Sequence, residues 1–350
     1  MNERILELES SQLFAKQSQK TQVITSNSVF SDIYKTRQTH VYEVRTVSEM
    51  IAKKIGFKRI EELAIVSMSH DLGHPPFGHK GAKTLDRVIK SCGLKEGFSD
   101  NNNNLDMIEQ NGLSFTDYEL ISLIKYPNKL YKYQKEKYIP VMERIVLEES
   151  KIWGKNLSRT VACNIMDIAD EISYTTSDLY DSYSTGFISG ELIGFQFKKL
   201  SEKYKSQPKL YSILNGISNA GFNNYKRVLR DEIFKLKLFL TNNCYWNYSE
   251  ANLKFSDNES KELLSDIFSF TFKYFINSKK NLKKRSKVQQ KFEKFIRFFL
   301  ATEDKYMTSD MYREKYKIAK TKEDKLRIIR HMCSDTTDEF VINFKLVEEY

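Results

Sequence analysis

Three of the five histidines in this 350-residue chain fall within ten positions of one another. They lie in the stretch HDLGHPPFGHKGA, which runs from His70 to Ala82 and also contains Asp71 and two consecutive prolines. Imidazole and carboxylate groups are ligands of divalent metals, and the same groups act as general acids and bases. The stretch therefore indicates a site that binds a metal ion, transfers protons, or does both.

The adjacent pair His70 and Asp71 cannot complete a metal site, because a divalent ion that activates water needs several nitrogen and oxygen ligands and an open position. His40 and an acidic residue from the region 158–183 are the available further donors. Such a set suits Mn, Fe, Co, Ni, Zn or, less well, Mg, and its imidazoles favour a transition metal. On residue type alone, the alternative stays open that these histidines are buried core residues.

Helical periodicity predicts the elements that position these groups. Apolar residues recur at helical spacing from residue 41 to 55, which places His40 in the first turn of a helix. A shorter apolar run over 63–68 predicts a second helix that presents His70 and Asp71 at its C-terminal end. The two prolines that follow then break the helix, and a new one begins after them.

A longer helix is predicted from about residue 158 to 183, with a buried apolar stripe. Asp170, Tyr174 and Asp178 are spaced by four and form one stripe on roughly the opposite side. This polar stripe either faces solvent or lines a site.

The composition favours a mainly α-helical globular protein. Hydrophobic residues make up 40% of the chain and charged residues 29%, which is enough apolar material for a large core. Thirteen glycines and five prolines are few for a turn-rich β architecture. We expect one compact unit, in which residues 1–190 form the core that carries the histidines and residues 191–350 form a helical region packed on it.

Four cysteines have no paired spacing, the opening lacks a basic-then-apolar signal, and no run of about 18 apolar residues appears. These features predict a cytoplasmic protein with reduced thiols and no membrane span. The formal charge of +10 suggests an anionic partner, whether nucleotide, nucleic acid or membrane surface. For the basic run from Asn277 to Phe299, a solvated helix face with a phenylalanine core stripe is favoured over a nucleic-acid surface.

The pattern of His40, the His70–Asp71 pair and a later aspartate resembles that of the HD-domain metallohydrolases. HDLGHPPFGHKG is similar to the form found in the deoxynucleoside triphosphate triphosphohydrolases, the dGTPase-like family. The segments QKTQV, RQTH, LIKYP, IMDIADEISYTTSDLYD and TTDEF resemble blocks of that family and occur in its order. The resemblance implies a helical HD-domain catalytic core over residues 1–190 and a homo-oligomer. It also implies hydrolysis of a dNTP to a deoxynucleoside and inorganic triphosphate.

The resemblance also implies a role for individual residues. The ligands of one divalent metal, whether Mn, Mg or another transition metal, match His40, His70, Asp71 and Asp170. The active-site histidines near the α-phosphate match His74 and His79. Gln22 and Asp178 match residues that read the sugar 3′-hydroxyl, and Tyr174 matches one that lies against the sugar. The substrate-binding set is Gln22, Val23, Arg37, Lys125, Tyr126, Tyr174 and Asp178, in which Arg37 and Lys125 contact phosphate.

Two departures from the family pattern concern proton transfer. The family usually has a carboxylate three residues after the second active-site histidine, where this chain has Ala82. In GFSDNNNNLDMI, Asp100 stands where many members have histidine. If His79 still donates a proton, we expect its orienting carboxylate to be lost or supplied by Asp86, Asp100 or Glu109.

Two other functions remain open. The HD site could act on another substrate, such as a nucleoside monophosphate or a cyclic or modified nucleotide. Alternatively, the chain could be a degenerate HD protein that binds nucleotide or nucleic acid without turnover. Ala82 favours the second alternative, and the complete set of expected metal ligands argues against it.

Overall fold

The computed structural model describes residues 3–21, 35–133, 135–302 and 304–344. Within these ranges the protein is mainly α-helical, as predicted, and has one antiparallel hairpin that the sequence did not predict. In chain order the helices are α1 (Glu3–Ser10), α2 (Gln12–Ala15), α3 (Arg37–Ile55), α4 (Ile60–Ser69), α5 (Gly78–Ser91), α6 (Asp100–Gln110), α7 (Asp117–Ser122), α8 (Ile139–Trp153), α9 (Val161–Ser184), α10 (Gly190–Lys203), α11 (Pro208–Phe222), α12 (Lys226–Asn242), α13 (Asn258–Thr271), α14 (Lys279–Thr302), α15 (Asp310–Ile318), α16 (Lys322–Asp335) and α17 (Asp338–Asn343). The hairpin strands are β1 (Cys244–Asn247) and β2 (Asn252–Phe255). None of the helices in the described ranges is both long and apolar enough to cross a lipid bilayer.

Three helices form the frame of the site. Helix α3 packs against both α4 and α9, through buried residues such as Val44, Leu63 and Ile165. The side chain of Thr36 caps the start of α3, and Gly56 ends it with a φ of 77°. Thr160 caps the start of α9 in the same way. These local signals fix where each helix begins, and hence which side chains point into the space between them.

The apolar side chains form two hydrophobic clusters. The larger one draws on helices on either side of residue 190, including α3, α4, α9 and α12. The second joins Leu85 and Val88 of α5 to Phe292 and Phe295 of α14 and to Ile329 of α16. The expected phenylalanine stripe in the basic run is therefore confirmed as core. Each cluster contains residues from both sides of residue 190, so neither cluster follows the predicted division of the chain there. The boundary at residue 190 stays a prediction.

Buried Asp338 joins the C-terminal segment to the histidine-rich loop. Its carboxylate accepts hydrogen bonds from the backbone N–H of Thr21 (3.1 Å), from the hydroxyl of Thr21 (2.7 Å) and from the backbone N–H of Phe77 (2.9 Å). Phe77 has a φ of 64°, a left-handed conformation that costs a non-glycine residue free energy. Nearby, buried Lys20 donates to the carbonyl oxygen of His74 at 2.6 Å. The loop between His74 and Phe77 is thus held by Lys20 from the N-terminal part of the chain and by Asp338 from the C-terminal part.

Replacement of Asp338 by alanine is expected to destabilise the fold. Each buried donor left without an acceptor costs about 1–3 kcal/mol in the free energy of unfolding. Denaturant unfolding measures this loss, with Glu339→Ala as the control, because Glu339 is the exposed neighbour on the same helix. An unfolding midpoint equal to that of Glu339→Ala would contradict the assigned role.

Candidate active site

Four of the side chains expected to bind metal meet where α3, α4 and α9 converge. Ligand atoms of His40, His70 and Asp71 lie within 4.8 Å of one another. Asp170 of α9 adjoins them, with its Oδ1 3.0 Å from His40 Nε2 and 3.6 Å from His70 Nε2. His40, His70 and Asp71 are buried, and Asp170 lines the adjoining cavity.

The hydrogen bonding of these histidines fits a divalent metal. His70 Nδ1 lies 2.7 Å from the carbonyl oxygen of Ser67, which can only accept, so Nδ1 carries the proton and Nε2 presents a lone pair. This buried Nε2 and the buried Nδ1 of His40 have no hydrogen-bond partner among the described residues. A lone pair that converges with two carboxylates is suited to a cation, and the donor set is the N,N,O,O set expected for a transition metal or Mg.

Two basic residues flank the ligand carboxylates. Arg37 Nη1 lies 2.6 Å from Asp71 Oδ2, and Lys125 Nζ lies 2.9 Å from Asp170 Oδ2. Burial opposes ionisation of both acids, but His74 and Arg37 hold the pKa of Asp71 well below its usual range, and Lys125 does the same for the pKa of Asp170. Both acids are therefore anionic at neutral pH, and two cations stand beside them.

A second group of side chains lies next to the first. His74 Nδ1 is 3.1 Å from Asp71 Oδ1, and His74 Nε2 is 3.2 Å from Oδ2 of Asp100 at the start of α6. His79 Nδ1 is 3.1 Å from the same oxygen of Asp100. The His79 side chain is 81% exposed, whereas His74 is buried. An accessible imidazole held by a carboxylate is suited to general acid–base catalysis.

Both groups open into one cavity of about 850 Å³. Tyr174 and Asp178 line it further along α9, and the edge of the Tyr174 ring packs against Phe268 of α13, with centroids 6.0 Å apart. Phe272 and Arg285 also line this end. The cavity is thus lined by charged groups beside the histidines and by aromatic rings further along α9.

Asp178 lies in this cavity in an unfavourable environment for a charge. Burial, with Asp181 nearby, raises its pKa to about 7. The folded protein therefore keeps a proton that the unfolded chain releases at about pH 4, and the free energy of unfolding falls as pH rises between about 4 and 7.

The variant Asp178→Asn has a similar shape but no ionisable group. We compare the free energy of unfolding of Asp178→Asn with that of wild type at each pH. The variant should gain stability over wild type between pH 5 and pH 8, by an amount on the order of 2–4 kcal/mol. Denaturant unfolding at the two pH values measures the difference. Equal differences between variant and wild type at both pH values would contradict this assignment.

The structure brings together most of the residues singled out in the sequence. The cavity is lined by Arg37, Asp71, His74, His79, Lys125, Tyr126, Asp170, Tyr174 and Asp178. His40 and His70 lie beneath it, while Gln22 and Val23 lie outside the described residues. Sequence reasoning missed Phe268, Phe272 and Arg285, which lie in no recognisable motif. The sequence did indicate Asp100, which was one of three carboxylates proposed to orient His79.

Comparison with known proteins agrees with this geometry. Residues 37–175 match the HD domain. A deoxyguanosinetriphosphate triphosphohydrolase-like protein of Wolinella succinogenes is 31% identical over 205 residues, which are 54% of this chain and 52% of the relative. A protein of the same name from Leptospira interrogans is 31% identical over 204 residues, or 57% and 49% of the two chains. A third, the deoxyguanosinetriphosphate triphosphohydrolase-like protein 2 of Mesorhizobium japonicum, is 29% identical over 211 residues, or 50% and 44%. The chain spans about half the length of these curated relatives.

Proposed function

We propose that the chain, in which residues 37–175 match the HD domain, is a deoxynucleoside triphosphate triphosphohydrolase-like protein of the HD-domain family, and that it hydrolyses a dNTP to the deoxynucleoside and inorganic triphosphate. The observation that carries this proposal is the convergence of His40, His70, Asp71 and Asp170 beside a nucleotide-sized cavity. A divalent metal bound there would polarise a phosphoryl oxygen and lower the pKa of a bound water.

The protein's own residues then perform the remaining tasks. Arg37 and Lys125 lie where they can offset the negative charge of the triphosphate. A water molecule releases one proton to the solvent, its oxygen forms a bond to the α-phosphorus, and the bond between this phosphorus and O5′ breaks. With its Nδ1 directed at Asp100, His79 donates a proton from Nε2 to O5′, so that the deoxynucleoside leaves as an alcohol. Tyr174 and Asp178, which line the cavity, are the proposed contacts of the sugar.

Product analysis tests this function. The purified chain is incubated with each of the four dNTPs and Mn²⁺ or Mg²⁺, and the products are separated by chromatography. We expect deoxynucleoside and triphosphate in equal amounts. Release of a monophosphate with pyrophosphate, of a diphosphate with phosphate, or of no product with any dNTP would contradict the proposal.

One observation favours a second function, nucleotide binding without turnover. Ala82 stands where the family usually has a carboxylate. The contact of Asp100 with both His74 and His79 weakens this alternative, because it supplies a carboxylate from another helix. A homo-oligomer and a cytoplasmic location stay predictions.

Recognition of the sugar leads to a testable result. Because Asp178 is buried in the cavity wall, the loss of the 3′-hydroxyl would leave a buried polar group unpaired, at a cost of about 1–3 kcal/mol. A 2′,3′-dideoxynucleotide is therefore expected to have a kcat/KM about 5- to 150-fold lower than that of the matching 2′-deoxynucleotide. Steady-state kinetics with both substrates measures the ratio, and in Asp178→Ala the ratio should fall. Equal cleavage of the two substrates by wild type would show that the 3′-hydroxyl is not read.

A further inference from the structure

The exposed imidazole of His79 is held by the carboxylate of Asp100, most of which is shielded from solvent. Asp100 Oδ2 lies 3.1 Å from His79 Nδ1 and 3.2 Å from His74 Nε2, and the two rings meet edge to face with centroids 5.3 Å apart. The Asp100 side chain is 13% exposed, whereas that of His79 is 81% exposed. An exposed side chain samples several rotamers unless a fixed partner holds it, and Asp100 is such a partner.

The other two candidate carboxylates have different partners. Asp86 accepts from Lys90 Nζ at 2.7 Å and from the backbone N–H of Phe98 at 2.8 Å. Glu109 accepts from Lys137 Nζ at 2.8 Å. Of the three, Asp100 is therefore the one that contacts His79.

The start of α6 is held firmly against the turn that carries the histidines. The side chain of Asn104 donates to the carbonyl oxygen of His70 at 2.6 Å and accepts from the backbone N–H of Gly73 at 2.5 Å. Asn103 donates to the carbonyl oxygen of Gly73 at 2.9 Å. A Cβ atom at position 73 would collide with the backbone of Asp100 and Asn104, so this close approach requires glycine. The asparagine run thus fixes the position of Asp100 relative to both histidines.

We propose that Asp100 is the positioning residue for His79, and that it replaces, from a separate helix, the carboxylate that Ala82 lacks. It accepts a hydrogen bond from His79 Nδ1–H and directs Nε2–H toward O5′ of the substrate. The attacking water releases a proton to the solvent as its oxygen bonds to the α-phosphorus. The bond from phosphorus to O5′ breaks, the Nε2 proton passes to O5′, and His79 then regains a proton from the solvent. The inference rests on the proposed function and adds the residue that makes its proton transfer effective.

Electrostatics agrees with this geometry. Burial opposes ionisation of Asp100, but the adjacent His74 and His79 hold the pKa of Asp100 well below its usual range. Asp100 is therefore an anion at neutral pH, and it can accept the hydrogen bond from His79 Nδ1–H.

The test compares two leaving groups. Asp100→Asn removes the charge with little change of shape, and the substrates are a dNTP and its analogue with sulfur in place of the bridging O5′. A thiolate leaves without protonation, whereas an alkoxide needs the proton from His79. We expect Asp100→Asn to lower kcat for the dNTP about 10- to 100-fold with little change in KM, and to leave kcat for the sulfur analogue within about twofold of wild type. The control Glu109→Gln should resemble wild type with both substrates.

Two results would overturn the proposal. One is an unchanged kcat for the dNTP in Asp100→Asn. The other is an equal loss with both substrates, because a general disturbance of the fold or of the metal does not depend on the leaving group. A carboxylate restored on α5 provides a rescue: Ala82→Glu should recover part of the lost rate in the Asp100→Asn background and give no increase in the wild-type background. Failure of the rescue together with an increase in the wild-type background would also count against Asp100.

A spectroscopic measurement separates this inference from the proposed function. Five histidines make nitrogen-15 labelling of the imidazoles tractable. Near pH 9, the neutral His79 ring should carry its proton on Nδ1 in wild type, since the carboxylate accepts there, and on Nε2 to a larger extent in Asp100→Asn. Identical tautomers in both proteins would overturn the role of Asp100. If wild type cleaves no dNTP, the proposed function fails, while the tautomer still decides whether Asp100 holds His79.

Discussion

Alanine in place of His70 or Asp170 is expected to remove the bound divalent metal and to reduce dNTP hydrolysis to background. His70 presents its Nε2 lone pair to the cluster, and Asp170 Oδ1 lies within 3.6 Å of both cluster imidazoles. Each ligand contributes to affinity, and the metal stabilises the transition state by several kcal/mol, so the rate should fall by at least about 10³-fold. Metal content after equilibration with Mn²⁺ and dialysis, measured by atomic emission, checks the first part.

Loss of activity alone does not identify a metal ligand, so the comparison includes a variant that should keep the metal. Glu109→Gln serves this purpose, because Glu109 contacts Lys137 and lies outside both groups that could hold a metal ion, His40 with His70 and Asp71, and His74 with His79 and Asp100. Wild-type metal content in both His70→Ala and Asp170→Ala would refute the assigned metal site.

The variant His79→Ala is expected to lose hydrolysis by about 10²- to 10⁴-fold, the usual contribution of general acid–base catalysis. His79 is the accessible histidine of the cavity, and its departure removes the proton donor for O5′ while the ligand cluster stays intact. Steady-state kinetics with the best dNTP, together with metal content and thermal unfolding, measures the effect.

A matched control lies on the same helix. Lys90→Ala changes an exposed residue in the last turn of α5, away from the cavity, and should keep wild-type activity. Full activity in His79→Ala would refute its role as the proton donor.

Local signals in the sequence predicted where the histidines lie on their helices, and the family resemblance supplied the full set of proposed metal ligands. The apolar periodicity of α3 placed His40 in its first turn, and the proline pair ends the segment after α4, so the positions of His40 and His70 at helix ends could be predicted from the sequence. The spacing of four between Asp170, Tyr174 and Asp178 placed them on one face of α9, and all three line the cavity. At the start of α7, Thr116 and Glu119 form a capping box, whose spacing of three residues is visible in the sequence.

Contacts that depend on tertiary packing could not be predicted in the same way. Asp100 reaches His79 because Asn103 and Asn104 bind the turn at Gly73, and the sequence alone gives no distance between α6 and that turn. For this reason the sequence left three carboxylates as candidates for the group that orients His79. The pKa of Asp178 depends on burial, which is also a tertiary property.

The aromatic end of the cavity had no signal in the sequence. Phe268 lies on α13 and Phe272 begins a π-helical segment that ends at Ile276, and both are far along the chain from the histidines. Their order in the sequence matches no motif, and the HD domain ends at residue 175. The sequence of the basic run from Asn277 to Phe299 predicted a charged helix with a phenylalanine stripe. It did not predict that Arg285 of this helix would line the cavity. The residues at this end of the cavity are therefore the least predictable part of the site.

The most direct test of the central claim is hydrolysis in water enriched in oxygen-18. Attack of water on the α-phosphorus with cleavage of the bond to O5′ places one labelled oxygen in the triphosphate and none in the deoxynucleoside. Mass spectrometry of the products of wild type with its best dNTP and Mn²⁺ is expected to show this distribution, and His70→Ala should yield no labelled triphosphate. Label in the deoxynucleoside, or in a monophosphate, pyrophosphate or phosphate product, would contradict the proposed reaction.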